Sequence, residues 1–142
     1  MKLITARNCL IASAAMVLDV EPSQLIEEIG HDGTEIVFPD EPDLQQQQRS
    51  FHLQEITKCF ISRGLGLTLL DRYPSLAPNA AAQPIQLDDD TGYITWQLQR
   101  RKAILFKINH AVAWDGYRVF DCNNQKPYPL EDFDLIIAAI VI

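Results

Sequence analysis

Apolar residues recur at helical spacing in the first half of the chain and in short alternating or unbroken runs in the second. From Leu10 to Leu18 the sequence is almost wholly apolar and rich in alanine, which predicts a buried helix. Asn8 suits its N-cap, so Cys9 becomes the first helical residue, and Asp19 or Val20 ends it ahead of Glu21-Pro22. A second helix over Pro22 to Ile29 sets Leu25, Ile26 and Ile29 on one face and stops at Gly30. His31-Asp32-Gly33 reads as a turn, with His31 a turn residue rather than a catalytic one. Ile36 to Phe38 is a short apolar piece, Phe38 to Asp43 an acidic loop and Gln45 to Gln48 a polar surface stretch. Ser50 is placed to cap a third helix over Phe51 to Arg63, with Leu53, Ile56, Thr57 and Phe60 inward and Gly64 and Gly66 ending it.

The second half changes period. Leu65 to Leu70 alternates as a strand. Tyr73 to Gln86, rich in proline and alanine, reads as an exposed loop, either a plain connector or the border of a substrate groove. Asp88-Asp89-Asp90 lacks the spaced ligands of a calcium loop and reads as a solvated turn or helix start. Tyr93 to Arg101 predicts a short helix packed on the sheet, with Arg100-Arg101-Lys102 as its basic end. Ala103 to Ile108 is a strand that runs on through Asn109 to His110, and Leu135 to Ile142 is too apolar for anything but a central strand. Helices first and antiparallel strands second argue for one α+β domain over residues 1–142, its N-terminal helices packed on a curved antiparallel sheet.

The candidate chemistry lies in NHAVAWDGYRVFDCN. Asp-Gly between alternating apolar runs is a hairpin signal, because both central residues of a type I′ turn need positive φ. A two-residue loop at Asp115-Gly116 pairs Trp114 with Tyr117 and sets His110 opposite Asp121 on one face, with Trp114 and Tyr117 as an apolar wall beside them. A carboxylate beside a histidine fixes its tautomer and stabilises its charged form. Asn123, of the same strand parity, is the substitute orienter. Cys9 at a helix start meets unpaired amides and the positive end of the helix dipole, which favour a thiolate. A cysteine on an apolar helix is usually a small buried hydrophobe. A helix-start cysteine together with a His-carboxylate pair is the set needed for thiolate attack on a carbonyl.

In this order, Asn8-Cys9 with Ala12 to Leu18, then His110-Ala111-Val112, then Val119-Phe120-Asp121, the chain resembles the papain-like cysteine peptidases, most nearly the small bacterial branch typified by bacteriocin-leader peptidase domains. The resemblance implies a papain-like fold, with Cys9 as nucleophile, His110 as general base and Asp121 as orienting carboxylate. It departs from the family at three places. The glutamine usual about six residues before the cysteine is Leu3 here, and the glycines usual after the cysteine and before the histidine are Leu10 and Asn109. That glutamine helps form the oxyanion hole, leaving the Cys9 amide with Thr5, Arg7 or Asn8 as candidate donors. Two functions stay open: a thiol hydrolase of a peptide or isopeptide-type amide (deamidation and acyl transfer use the same triad), and an inert papain-like fold kept as a protein-binding or inhibitory module.

Composition narrows the partners. With 142 residues the chain can bury a proper core, and 47% apolar against 22% charged residues is ordinary for a globular protein. A net charge of −7, from 19 acidic against 12 basic residues, argues against nonspecific nucleic-acid or anionic-membrane binding and leaves a peptide or protein as the expected partner. No run is long enough to insert in a membrane, and Arg7 and Asn8 interrupt any resemblance to a signal peptide. Three cysteines without CxxC spacing fit a reducing cytoplasm. No cofactor or metal is expected, since neither a glycine-rich phosphate loop nor a spaced ligand set is present. The sequence leaves the oligomeric state open.

Overall fold

A computed structural model describes residues 1–5, 8–35, 50–72 and 90–142. The expectations for Ile36 to Phe38, the acidic loop, the glutamine stretch, the Tyr73–Gln86 loop and Asp88-Asp89 lie outside the described residues. Helix α1 (Cys9–Leu18) is capped as its sequence predicts: Asn8 Oδ1 accepts from the amides of Leu10 and Ile11 at 3.1 and 3.2 Å. Helix α2 (Pro22–Ile29) ends at Gly30 in the left-handed region, φ 91°.

Helix α3 (Leu53–Ile61) starts later and stops earlier than the sequence suggested. Its N-cap is His52, not Ser50, because Glu55 reaches back to accept from the His52 amide at 3.0 Å. Ser50 instead takes φ 54°, and its amide donates to the Gly33 carbonyl at 2.9 Å. His31 has a structural role. Its Nδ1 accepts from the Gly33 amide at 3.0 Å, so Nε2 carries the proton that meets Glu55 Oε2 at 2.5 Å, and the ring stacks on Phe51 at 4.9 Å.

Five strands, β1 (Leu67–Asp71), β2 (Ala103–Lys107), β3 (His110–Trp114), β4 (Val119–Phe120) and β5 (Ile137–Val141), form one antiparallel sheet in the order β1-β5-β2-β3-β4. The apolar C-terminal run is central, between β1 and β2, as its composition demands. Strand alternation sends Ile104, Ala111, Ala113, Phe120 and Ala139 to one face, where they pack with α1, α2 and α3. Small residues on both sides, Ala111, Ala113 and Ala139 on the sheet and Ala12, Ala14 and Ala15 on α1, let the helix lie close.

The opposite face is also covered. Leu105, Val112, Trp114, Val119 and Ile140 meet Ile94 and Leu98 of helix α4 (Asp90–Leu98) with Phe133 and Leu135. Helix α4 ends at Leu98, with Gln99 and Arg100 as a turn (Arg100 at φ 61°) and Arg101-Lys102 leading into β2, so the basic run is not the end of the helix. The result is an α+β domain with an antiparallel sheet between two apolar layers. No single helix among the described residues is long and apolar enough to cross a membrane, and α1 and α2, which pass that test only as a pair, meet at 110°.

Candidate active site

The β3–β4 hairpin differs from its predicted register. Trp114 pairs with Val119 and Ala113 with Phe120, so the loop holds four residues, Asp115 to Arg118, rather than two. Within it the Asp115 amide donates to the Arg118 carbonyl at 3.3 Å, while Asp115 Oδ1, in place of a backbone carbonyl, accepts from the amides of Tyr117 and Arg118 at 2.8 and 2.7 Å and so carries the turn one residue beyond the predicted position. Only Gly116 has positive φ there, 102°, and a Cβ at that position would stand 3.0 Å from the Arg100 Cα. The predicted aromatic wall is corrected accordingly. Tyr117 is in the loop and 68% exposed, while Trp114 is buried, its Nε1 donating to the Leu98 carbonyl at 2.8 Å.

A register shift of two positions keeps side-chain parity, so the pair that mattered survives. His110 Nε2 lies 2.8 Å from Asp121 Oδ1, both side chains nearly enclosed. Asp121 is 5% exposed and fully engaged: Oδ1 also accepts from the Asn123 amide at 3.0 Å, and Oδ2 accepts from the Tyr128 hydroxyl at 2.9 Å. Burial pulls the Asp121 carboxyl upward, but the Asn123 amide, His110 and the Tyr128 hydroxyl outweigh it and hold it below the usual carboxylate range. Burial first, and then the Asp121 carboxylate, push the Tyr128 phenol upward, so its hydroxyl stays a donor. Because Nε2 faces an acceptor, it carries the ring proton of the neutral imidazole and leaves Nδ1 as the basic nitrogen. Asn123 contributes its backbone amide and is not the orienter. Tyr128 gave no sequence signal, since it lies beyond the hairpin; it arrives through an isolated bridge to Val119.

Cys9 opens α1, and Ser13 Oγ donates to its carbonyl at 2.6 Å. Its amide has no acceptor among the described residues, whereas those of Leu10, Ile11 and Ala12 are all taken by Asn8. Cys9 and His110 line one open cleft of about 380 Å³ with Asn8, Ser50, Lys107 and Asn109. The Asn8 oxygen is committed to the helix cap, so its Nδ2 turns outward and donates to Ser50 Oγ at 3.1 Å, with its second proton left over. The Cys9 Sγ meets the Cys122 Sγ at 2.8 Å, and no hydrogen bond joins Cys9 to His110 among the described residues. All three cysteines are free thiols.

Two other features isolate this cleft. His31 and Glu55 are also a His-carboxylate pair, but the nearby Cys59 is in mid-helix with its thiol toward the Glu55 carbonyl, and burial followed by the Glu28 charge pushes that thiol up. A larger cavity of about 700 Å³, lined by Arg72, Trp114 and Glu131 among others, contains neither cysteine nor histidine. Among the described residues, no group of three or more His, Cys, Asp or Glu side chains could hold a metal ion. No protein-family model matches the chain, and no curated protein or solved structure shows significant similarity to it.

Proposed function

We propose that this chain is a papain-like thiol hydrolase that cleaves a peptide or isopeptide-type amide. Cys9 is the nucleophile, His110 the general base and then acid, and Asp121 the orienting carboxylate. The observation that carries the reading is a thiol at a helix start sharing a cleft with a histidine whose far nitrogen is held by a buried carboxylate. The helix-on-antiparallel-sheet architecture supports it, because both reacting groups stand on regular elements.

In the proposed reaction, Cys9 sulfur attacks the amide carbonyl carbon while its proton passes to His110 Nδ1. The Cys9 amide and Asn8 Nδ2 donate to the oxyanion, taking the part of the missing glutamine. His110 returns the proton to the leaving amine as the C–N bond breaks, giving a thioester. Water, deprotonated by His110, then attacks the thioester and releases the acid and the thiol. Ammonia as the leaving group makes the same steps a deamidation, and an amine in place of water makes them acyl transfer. Three free thiols suit a reducing compartment such as the cytoplasm.

The test is iodoacetamide alkylation of Cys9, followed by peptide mapping against pH, in wild type and His110→Ala. Wild type is expected to alkylate at pH 6 at least about tenfold faster than the variant, with the two converging near pH 9. A second reading, the inert binding or inhibitory module, is favoured by the Cys9 sulfur facing Cys122 rather than His110. Equal alkylation of the two proteins at pH 6, or no alkylation of Cys9, selects that second reading.

A further inference from the structure

Cys122 has no part in the hydrolytic mechanism, yet its sulfur is the nearest partner of the proposed nucleophile. It directly follows Asp121 just past the end of β4, and the two neighbours point apart, Asp121 toward His110 and Cys122 into the layer under α1. Its sulfur stops 2.8 Å from that of Cys9. A disulfide bond is about 2.05 Å long, so closing this one needs a movement of under about 1 Å between a thiol at the start of α1 and one in the turn after β4. The pair is asymmetric. Cys9 is half-buried and lines the open cleft, while Cys122 is 5% exposed. Burial first, then the neighbouring Cys9 thiol and the Asp121 carboxylate, push the Cys122 thiol up to about 12, so it remains protonated until its partner has reacted. The third cysteine, Cys59, is buried on α3 and has neither of the others as a partner.

We propose that Cys9 and Cys122 form a peroxide-responsive dithiol site, with Cys9 the residue oxidised and Cys122 the resolving thiol. The Cys9 thiolate attacks one oxygen of hydrogen peroxide; an S–O bond forms, the O–O bond breaks and hydroxide leaves. Cys122 sulfur then attacks the Cys9 sulfenic acid; the S–S bond forms, the S–O bond breaks, and water departs with the Cys122 proton. Two thiols are oxidised and one peroxide is reduced to two waters. A small dithiol reductant reverses the bond. The disulfide removes the sulfur from nucleophilic use, and it protects Cys9 from irreversible sulfinic acid. This site is independent of the hydrolase reading, since an inert binding module would carry the same bond.

The experiment treats the full chain with graded hydrogen peroxide and follows free-thiol number, intact mass and a non-reducing peptide map, without any activity assay. Wild type is expected to fall from three titratable thiols to one, to lose 2 Da, to yield a Cys9–Cys122 cross-linked peptide, and to recover fully with dithiothreitol. Cys122→Ser is expected to lose the cross-link and instead gain about 32 Da on Cys9 that dithiothreitol does not remove. Cys122→Ala serves as a second variant should serine disturb the apolar layer, and Cys59→Ser should form the same cross-link and fall from two titratable thiols to none. Sulfinic Cys9 in wild type with Cys122 still free, or a cross-link through Cys59, overturns the proposal. So does a wild type that keeps all three thiols while Cys9 still alkylates.

Discussion

Asn8 caps α1 and, in the proposed mechanism, also donates to the oxyanion, and substitutions separate the two roles. Its Oδ1 holds two amides, at 3.1 and 3.2 Å, and its Nδ2 donates to Ser50 Oγ, another residue lining the cleft. Asn8→Ala loses both roles. Removing an N-cap costs about 0.5–2 kcal/mol. For a chain of 142 residues, each kcal/mol lowers the melting temperature by roughly 3–4 °C, so a fall of several degrees is expected. Asn8→Ser keeps a neutral capping oxygen of similar strength, so its melting temperature should stay within about 2 °C of wild type. It lacks the amide donor, and its shorter hydroxyl is occupied at the cap. The assay compares two reactions of Cys9: acylation by p-nitrophenyl acetate, which passes through an oxyanion, and alkylation by iodoacetamide, which does not. Dividing one rate by the other cancels changes in thiolate fraction. For Asn8→Ser the quotient should fall by about two to three orders of magnitude, the usual effect of one lost oxyanion donor. An unchanged quotient in both variants, with only Asn8→Ala melting early, would refute the donor role and leave Asn8 as a cap.

Tyr128→Phe removes a hydroxyl 2.9 Å from Asp121 Oδ2 without leaving a cavity. Loss of a hydrogen bond to a charged group costs about 1.5–3 kcal/mol, checked by urea denaturation at pH 7. Asp121 itself has a depressed native carboxyl, so the unfolded chain binds its proton first as pH falls. Its stabilisation is therefore present above the unfolded carboxylate value, about 3.9, and lost as pH falls through the native value; in Asp121→Asn the urea midpoint should fall less steeply between pH 5 and pH 2. Gly116→Ala meets both a φ of 102° and the Arg100 backbone at 3.0 Å, and a destabilisation of more than about 1 kcal/mol is expected by thermal melting.

What the sequence conveyed, and what it could not, follows from the range of the forces involved. Helix α1 and its cap were legible because capping is a local exchange between Asn8 and amides two and three residues on. The central place of β5 was legible because eight consecutive apolar residues have nowhere else to go. The hairpin was legible as a hairpin but not in its register, since Asp115 can enter a tight turn as a backbone or cap a wider one with its side chain. His110 and Asp121 still met because the error was of even length. The Ser50 cap failed because Glu55, shared between His31 and the His52 amide, chose a different start for α3. Tyr128 and the Cys9–Cys122 contact were out of reach, as contacts 7 and 113 residues apart leave no local pattern.

The same parity that rescued the His-Asp pair also makes the site depend on a single register. Asp121 and Cys122 are neighbours just past β4 that point to opposite sides, the first contacting the imidazole and the second the Cys9 sulfur. A slip of one residue would set the thiol against His110 and the carboxylate against Cys9, placing a negative charge beside the proposed nucleophile. Strand β4 is only two residues long, too short to hold that register alone. Tyr128 supplies the rest. Its backbone exchanges hydrogen bonds with Val119 at 2.8 and 3.0 Å, and its hydroxyl holds Asp121. The tyrosine therefore acts on the imidazole through the carboxylate and on the thiol through the placement of Cys122. It ties the proposed base and nucleophile to one anchor, although it touches neither Cys9 nor His110 by any hydrogen bond among the described residues.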